Sequence, residues 1–180
     1  MMYTDERWNA STKRRIIVGV SGSLGSLAAL HHAVAEARRG DCEVLAALAW
    51  EPPGGEHGYR LSPCPPLLAE VREAAAERLR TAIGEAFGAD GPDVDFGAVV
   101  LRGEVGRALI HLADRPDDLL VLGASGSLLR RGLRRSVVSY CAEHAVCPVL
   151  AVPRPALQHE LESLRRRRRW HLPTEPLPTS

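Results

Sequence analysis

The chain has 180 residues, of which 45% are hydrophobic and 25% charged, and its net charge is +1. This length suits one domain with tails and allows a sizeable core. The near-neutral charge gives no reason to expect a nucleic-acid-binding protein, no run reaches the roughly 18 apolar residues of a membrane span, and the start MMYTDERWNASTKRR lacks the apolar segment of a secretory signal. We therefore expect a soluble cytoplasmic protein with no membrane partner and with reduced cysteines.

The first half of the chain predicts two strands and two helices. Residues 1–14 are polar and predict a disordered N-terminal tail. RIIVGV (15–20) is a β-branched run typical of a strand buried on both faces, and CEVLAALAW (42–50) is a second strand. Apolar residues recur at helical spacing after SGSLGS, and again from about Leu67. The segment EPPGGEHGYRLSPCPP, between the second strand and the second helix, is rich in Gly and Pro and predicts a long loop.

The second half repeats the alternation. VDFGAVVL (94–101), DDLLVLG and CPVLAVP predict strands three to five, with a short helix near residues 105–112 and another at SVVSYCAEHA. Strands that alternate with helices predict an α/β fold with an open, doubly wound parallel sheet. Ligands in such sheets bind beyond the carboxyl ends of the strands. SGSLGS after strand one and GASG after strand four both stand at such ends.

Four segments together resemble the universal stress protein family: SGS after strand one, WEP after strand two, GASG after strand four, and CPVLAVP as strand five. The similarity covers about residues 14–153 and defines a domain at 15–153. It implies a five-stranded sheet in the order 3-2-1-4-5, Rossmann-like and of the adenine nucleotide alpha hydrolase-like type. It also implies a homodimer formed through the last strand, by Val149, Leu150, Ala151 and Val152.

Family members that bind ATP carry the motif G-x2-G-x9-G-(S/T) after strand four, where glycines let backbone N–H groups approach phosphates. Gly123 and Gly126 match its first half. Ser136 falls at the hydroxyl position, but Arg135 stands at the last glycine position and the spacer is one residue short. The aspartate usual after strand one is replaced by Ser21, which brings no charge. By resemblance, the nucleotide positions are Ser21, Ala49, Gly123, Gly126, Arg135, Ser136 and Val137.

Two functions follow from this altered motif. The first is a dimeric stress-response or regulatory module without catalytic activity, which needs no cofactor and acts on an unidentified protein partner. The second is a binder of ATP or another phosphorylated small molecule, held by the glycines and by Arg130, Arg131, Arg134 and Arg135. An enzyme is the least favoured interpretation, since no positioned base or metal carboxylate accompanies the loop.

Three other patterns have simple structural explanations. Cys141, His144 and Cys147 offer only three ligands where a structural zinc site takes four, so we expect buried thiols and no metal. The composition of residues 154–180 predicts an Arg-rich, helical and Pro-rich C-terminal tail. Its Arg165–Arg169 run could be the solvated end of a helix, or it could bind nucleic acid or an anionic membrane surface. The solvated helix end is favoured, so we expect no nucleic-acid partner. His31 and His32, adjacent on a helix, are expected in solvent.

Overall fold

The computed structural model describes residues 13–124 and 136–153, and these form one parallel sheet with helices on both faces. The strand order is β3-β2-β1-β4-β5, as the family resemblance implied. The strands are β1 (Arg14–Gly19), β2 (Cys42–Trp50), β3 (Phe96–Arg102), β4 (Leu119–Gly123) and β5 (Val149–Val152). The helices are α1 (Leu24–Ala37), α2 (Gly55–Leu61), α3 (Pro65–Phe87), α4 (Val105–Leu112) and α5 (Val137–His144).

Two apolar layers hold the sheet between the helices. Successive residues of a strand point to opposite faces, so a strand covered on both sides is apolar at every position. In β1, Ile16 and Val18 pack with α1 and α3, whereas Ile17 packs with α4 and α5. The continuous apolar runs of β1 and β2 are therefore explained by helices on both faces.

The expectation of a long loop after β2 was wrong, because a short helix, α2, forms inside it. Arg102 at the end of β3 holds this helix through a bidentate pair with Glu56, at 2.7 and 2.9 Å. The same guanidinium lies 5.0 Å from the ring centre of Tyr59. These contacts come from a distant strand, and local Gly and Pro content gives no sign of them. Helix α3 also begins earlier than expected, at Pro65, because proline is well tolerated in a first helical turn.

Boundaries elsewhere shift by one or two residues. Strand β1 begins at Arg14, inside the segment expected to be a disordered tail, and ends at Gly19. Strand β3 is displaced to Phe96–Arg102. Residues 1–12 and the C-terminal tail, including Arg165–Arg169, lie outside the described residues.

A buried ion cluster ties the amino-terminal ends of β1 and β4 together. Arg15 and Asp118 have side chains that are 1% and 0% exposed. Arg15 donates to the two carboxylate oxygens of Asp118 at 2.9 and 2.6 Å, and also to Asp114 at 2.6 Å. Asp118 accepts a further bond from the backbone N–H of Arg115 at 3.1 Å. Asp118 is therefore the main counter-ion of a buried guanidinium and also stabilises the turn before β4.

In this cluster, the positive charge of Arg15 and the negative charges of Asp118 and Asp114 stabilise one another. Burial acts to lower the pKa of Arg15, but hydrogen bonds and charges from Asp118 and Asp114 outweigh it, so the pKa is raised. The hydrogen bond from Arg15 lowers the pKa of Asp114. A lowered carboxyl pKa contributes stability that is present above the ordinary aspartate pKa and is lost as pH falls through the folded-state value. The Arg15–Asp114 contact therefore persists into acid solution.

Strand β5 lies at an edge of the sheet. Its carbonyl groups at Pro148 and Val152 accept bonds from Leu120 and Ala124, at 3.0 and 2.8 Å. Alternate residues of a strand direct their backbone groups to opposite sides. Val149 and Ala151 therefore direct their N–H and C=O groups outward, where no strand of the described part of the chain pairs with them.

Candidate functional site

A cleft of about 350 Å³ opens at the carboxyl ends of β1, β2 and β4. It lies where the chain order reverses, since β1 is flanked by β2 on one side and β4 on the other. The described residues that line it are Gly19, Val20, Ser21, Ser23, Gly25, Ser26, Ala47, Ala49, Val105, Leu109, Leu122, Gly123, Ala124, Val137 and Val138.

The turn between β1 and α1 supplies the polar side of the cleft. Gly22 has φ +76°, a left-handed conformation that glycine adopts without strain. Ser23 then caps α1, and its Oγ accepts from the N–H of Ser26 at 3.3 Å. Ser21 donates its hydroxyl to Ser23 Oγ at 3.0 Å. The first helical N–H groups, at Leu24 and Gly25, have no intrahelical acceptor, and Gly25 lines the cleft.

Helix α5 approaches the same cleft with its own N-terminus. Ser136 is its N-cap, and its Oγ accepts from the N–H of Ser139 at 3.1 Å. Val137 and Val138, the first two helical residues, both line the cleft. Their N–H groups have no intrahelical acceptor. Two helix N-termini therefore meet at one opening.

Gly123 allows β4 to approach α1 closely. A Cβ atom at this position would stand 2.8 Å from the backbone nitrogen of Ser26 and still nearer the carbonyl group of Gly25. Any other residue here would push the first turn of α1 away from the strand. The first glycine of the motif thus shapes the cleft through backbone packing.

The described residues that line the cleft carry no charged side chain. Its positive polarity comes from the backbone, because a helix N-terminus carries about half a positive charge and α1 and α5 both begin here. The nearest acidic cap, Glu104, is already used, since its carboxylate accepts from the N–H groups of Gly106 and Arg107, both at 3.2 Å. A neighbouring cleft, which shares Ala49 and Val105, contains Glu51 and Arg78. This arrangement suits a small anion with an apolar part.

The structure brings together four of the seven residues that the resemblance assigned to a nucleotide. Ser21, Ala49, Gly123 and Val137 line the cleft. Ser136 caps α5 and is absent from the described lining. Gly126 and Arg135 lie outside the described residues.

The sequence did not identify three apolar residues of the cleft wall. Val105 and Leu109 of α4 reach the cleft from beyond β3, and Val138 from α5. The helical spacing of Val105 and Leu109 was visible, but only the folded sheet shows which end of α4 lies at the opening.

The cysteine–histidine motif does not assemble a site. Burial raises the pKa of Cys141 to about 11 and also raises the pKa of Cys147. His144 is exposed, and its Nδ1 lies 2.9 Å from the carbonyl of Tyr140 in the same helix. Over residues 13–124 and 136–153 no group of three metal-binding side chains is found. Within these ranges no helix is both long and apolar enough to cross a membrane.

A sequence model of the universal stress protein family matches residues 13–153. The chain belongs to this family. No curated protein sequence matches it. Among solved structures, universal stress protein UspA from Lactobacillus plantarum is similar, with 26% identity and a TM-score of 0.61 over 79% of this chain and 99% of the other.

Two further universal stress proteins of known structure contain a bound nucleotide. One, in complex with cAMP, is 26% identical, with a TM-score of 0.53 over 81% of this chain and 100% of the other. The other, from Arabidopsis thaliana with AMP bound, is 18% identical, with a TM-score of 0.50 over 81% of this chain and 94% of the other. The second supports the fold alone.

Proposed function

We propose that this universal stress protein is a cytoplasmic, non-catalytic regulatory module that binds a nucleotide in the cleft between α1 and α5. The observation that carries the proposal is the meeting of two helix N-termini at an opening floored by Gly123. Unpaired N–H groups and aligned peptide dipoles at helix starts bind phosphate. The apolar remainder, from Ala49 to Val105 and Leu109, suits a base and sugar.

The relative bound to cAMP supports the choice of ligand, because its fold and 26% identity extend over most of this chain. The lack of catalysis is supported by the serines around the cleft, whose hydroxyls bond one another or the backbone of the first turn of α1. Ser23 caps α1, and Ser26 donates to the Ser23 carbonyl at 2.8 Å. None of them contacts a histidine or carboxylate that could activate a nucleophile. The cytoplasmic location is supported by the four cysteines, which are free thiols in the structure.

Nucleotide binding is tested by thermal melting with cAMP, AMP, ADP and ATP. A ligand at 100 times its dissociation constant should stabilise the protein by about 2.7 kcal/mol. We expect Val137→Glu to abolish this shift, because its carboxylate would stand in the cleft and repel phosphate. An acidic side chain in a first helical turn is itself stabilising, so the variant should remain folded.

The matched control is Ser139→Glu. It adds the same charge to the first turn of α5, at an exposed position outside the described lining of the cleft. It should retain the nucleotide shift. No shift in the unmodified protein at millimolar nucleotide would refute the proposal and favour a regulator that acts only through a protein partner.

We also propose that two copies pair through β5. The outward backbone groups of Val149 and Ala151 are those that a second strand would satisfy, and an open strand edge otherwise invites aggregation. Ala151→Pro removes one outward N–H without touching a bond to β4. We expect the dimer mass in sedimentation analysis to give way to monomer in this variant. A monomeric unmodified protein would contradict the pairing.

A further inference from the structure

The cleft presents hydrogen-bond donors and positive dipole ends to its ligand, and its described side chains are neutral. We propose that the nucleotide binds in its metal-free form, without Mg²⁺ or another divalent cation. This inference rests on the proposed function and concerns the chemical form of the ligand in the same site.

The first step concerns ligands for a cation. Magnesium sites at phosphates usually take one or two carboxylates from the protein. At the end of β1, where ATP-binding relatives usually have aspartate, this chain has Ser21, whose hydroxyl donates to Ser23. A serine hydroxyl is neutral, so it brings no negative charge to offset a divalent ion as a carboxylate would. The cleft residues therefore fit a phosphate and do not fit its metal.

The second step accounts for the acidic groups nearby. The carboxylate of Glu104 is held by two backbone N–H groups at the start of α4. Glu51 belongs to the neighbouring cleft, and Ala49 and Val105 form part of the wall between the two. Moving Glu104 to a metal would leave the N–H groups of Gly106 and Arg107 without their side-chain acceptor and uncap α4.

The third step concerns charge. Two helix N-termini contribute roughly half a positive charge each, so together they offset about one negative charge of a phosphate. A divalent cation placed beside them would be repelled by the same dipoles that attract the anion. The protein supplies the counter-charge that a metal would otherwise provide.

Titration calorimetry of the full chain with AMP, cAMP and ATP, in excess EDTA and then in millimolar MgCl₂, tests the proposal. We expect AMP and cAMP to bind equally in both buffers. ATP affinity should fall about tenfold or more when magnesium is added, because the metal-bound form carries a cation to a positive site. The ranking of the three nucleotides in EDTA also shows whether one phosphate or several are accepted.

A designed carboxylate provides the converse test. Ser21→Asp is expected to reverse the metal effect, so that magnesium strengthens ATP binding. Ser21→Asn has the same size without the charge, and whatever its affinity, the ratio of its two dissociation constants should still favour EDTA.

The outcomes separate the two proposals. Binding that requires magnesium in the unmodified protein, or is strengthened by it, would overturn the metal-free inference and leave nucleotide binding intact. An absence of heat and of thermal shift in both buffers would overturn both.

Discussion

Replacement of Asp118 by alanine is expected to lower the free energy of unfolding by about 3–5 kcal/mol, because it leaves the guanidinium of Arg15 buried without its main counter-ion. Asp114 would remain as a partner, but its side chain is 63% exposed and bonds one nitrogen of Arg15 only. The backbone N–H of Arg115 would also lose its acceptor. The change is measured as a shift in the midpoint of urea unfolding at unchanged slope.

Asp93→Ala is the matched control. Asp93 also pairs with an arginine, Arg38, with bonds of 2.9 and 2.5 Å, but both side chains are largely exposed. Exposed pairs contribute about 1 kcal/mol or less. Similar losses in the two variants would show that burial of the Arg15 cluster does not govern its contribution.

Replacement of Gly123 by alanine is expected to destabilise the fold by about 3 kcal/mol and to abolish nucleotide binding. The added Cβ would collide with the backbone of Gly25 and Ser26, and backbone cannot move aside as a flexible side chain can. Relief requires α1 to shift from β4, which separates the N–H groups that line the cleft. Denaturant unfolding and nucleotide-dependent melting measure the two effects.

Gly84→Ala is a control of the same chemical change with the opposite sign. Gly84 lies in α3, and a Cβ there would meet nothing within 4 Å. Alanine in a helix is more favourable than glycine by about 0.5–1 kcal/mol. A Gly123→Ala protein as stable as the Gly84→Ala protein would disprove the close approach of β4 and α1.

The fold was predictable because its signals are local and periodic. Apolar runs such as those of β1 and β2 report burial on both faces, and their alternation with helices leaves few topologies. The family resemblance supplied the strand order. Helix α2 was not predictable, since it depends on Arg102, which lies 46 residues from Glu56. The burial of Asp118 was not predictable for the same reason, because its partner Arg15 is 103 residues away in the sequence.

The site was predictable only where a backbone motif marks it. Ser21 and Gly123 belong to recognisable turns after strands, and both line the cleft. Val105 and Leu109 carry no motif, because an apolar residue on a cleft wall has the same sequence pattern as one in the core. Ser136 shows a further limit. Ser136 stands at the hydroxyl position of the nucleotide motif, and in the structure it caps α5. The residue type alone does not distinguish a phosphate ligand from a helix cap.

The neutral lining of the cleft has a consequence for what such a module can report. No described side chain on its wall gains or loses a proton near neutral pH. A terminal phosphate of the ligand does titrate in this range, with a second pKa of about 6. Any pH dependence of binding would therefore come from the ligand, since a terminal phosphate loses negative charge as pH falls through about 6. A cyclic phosphodiester has no such group, so the occupancy of the cleft by cAMP would follow its concentration alone.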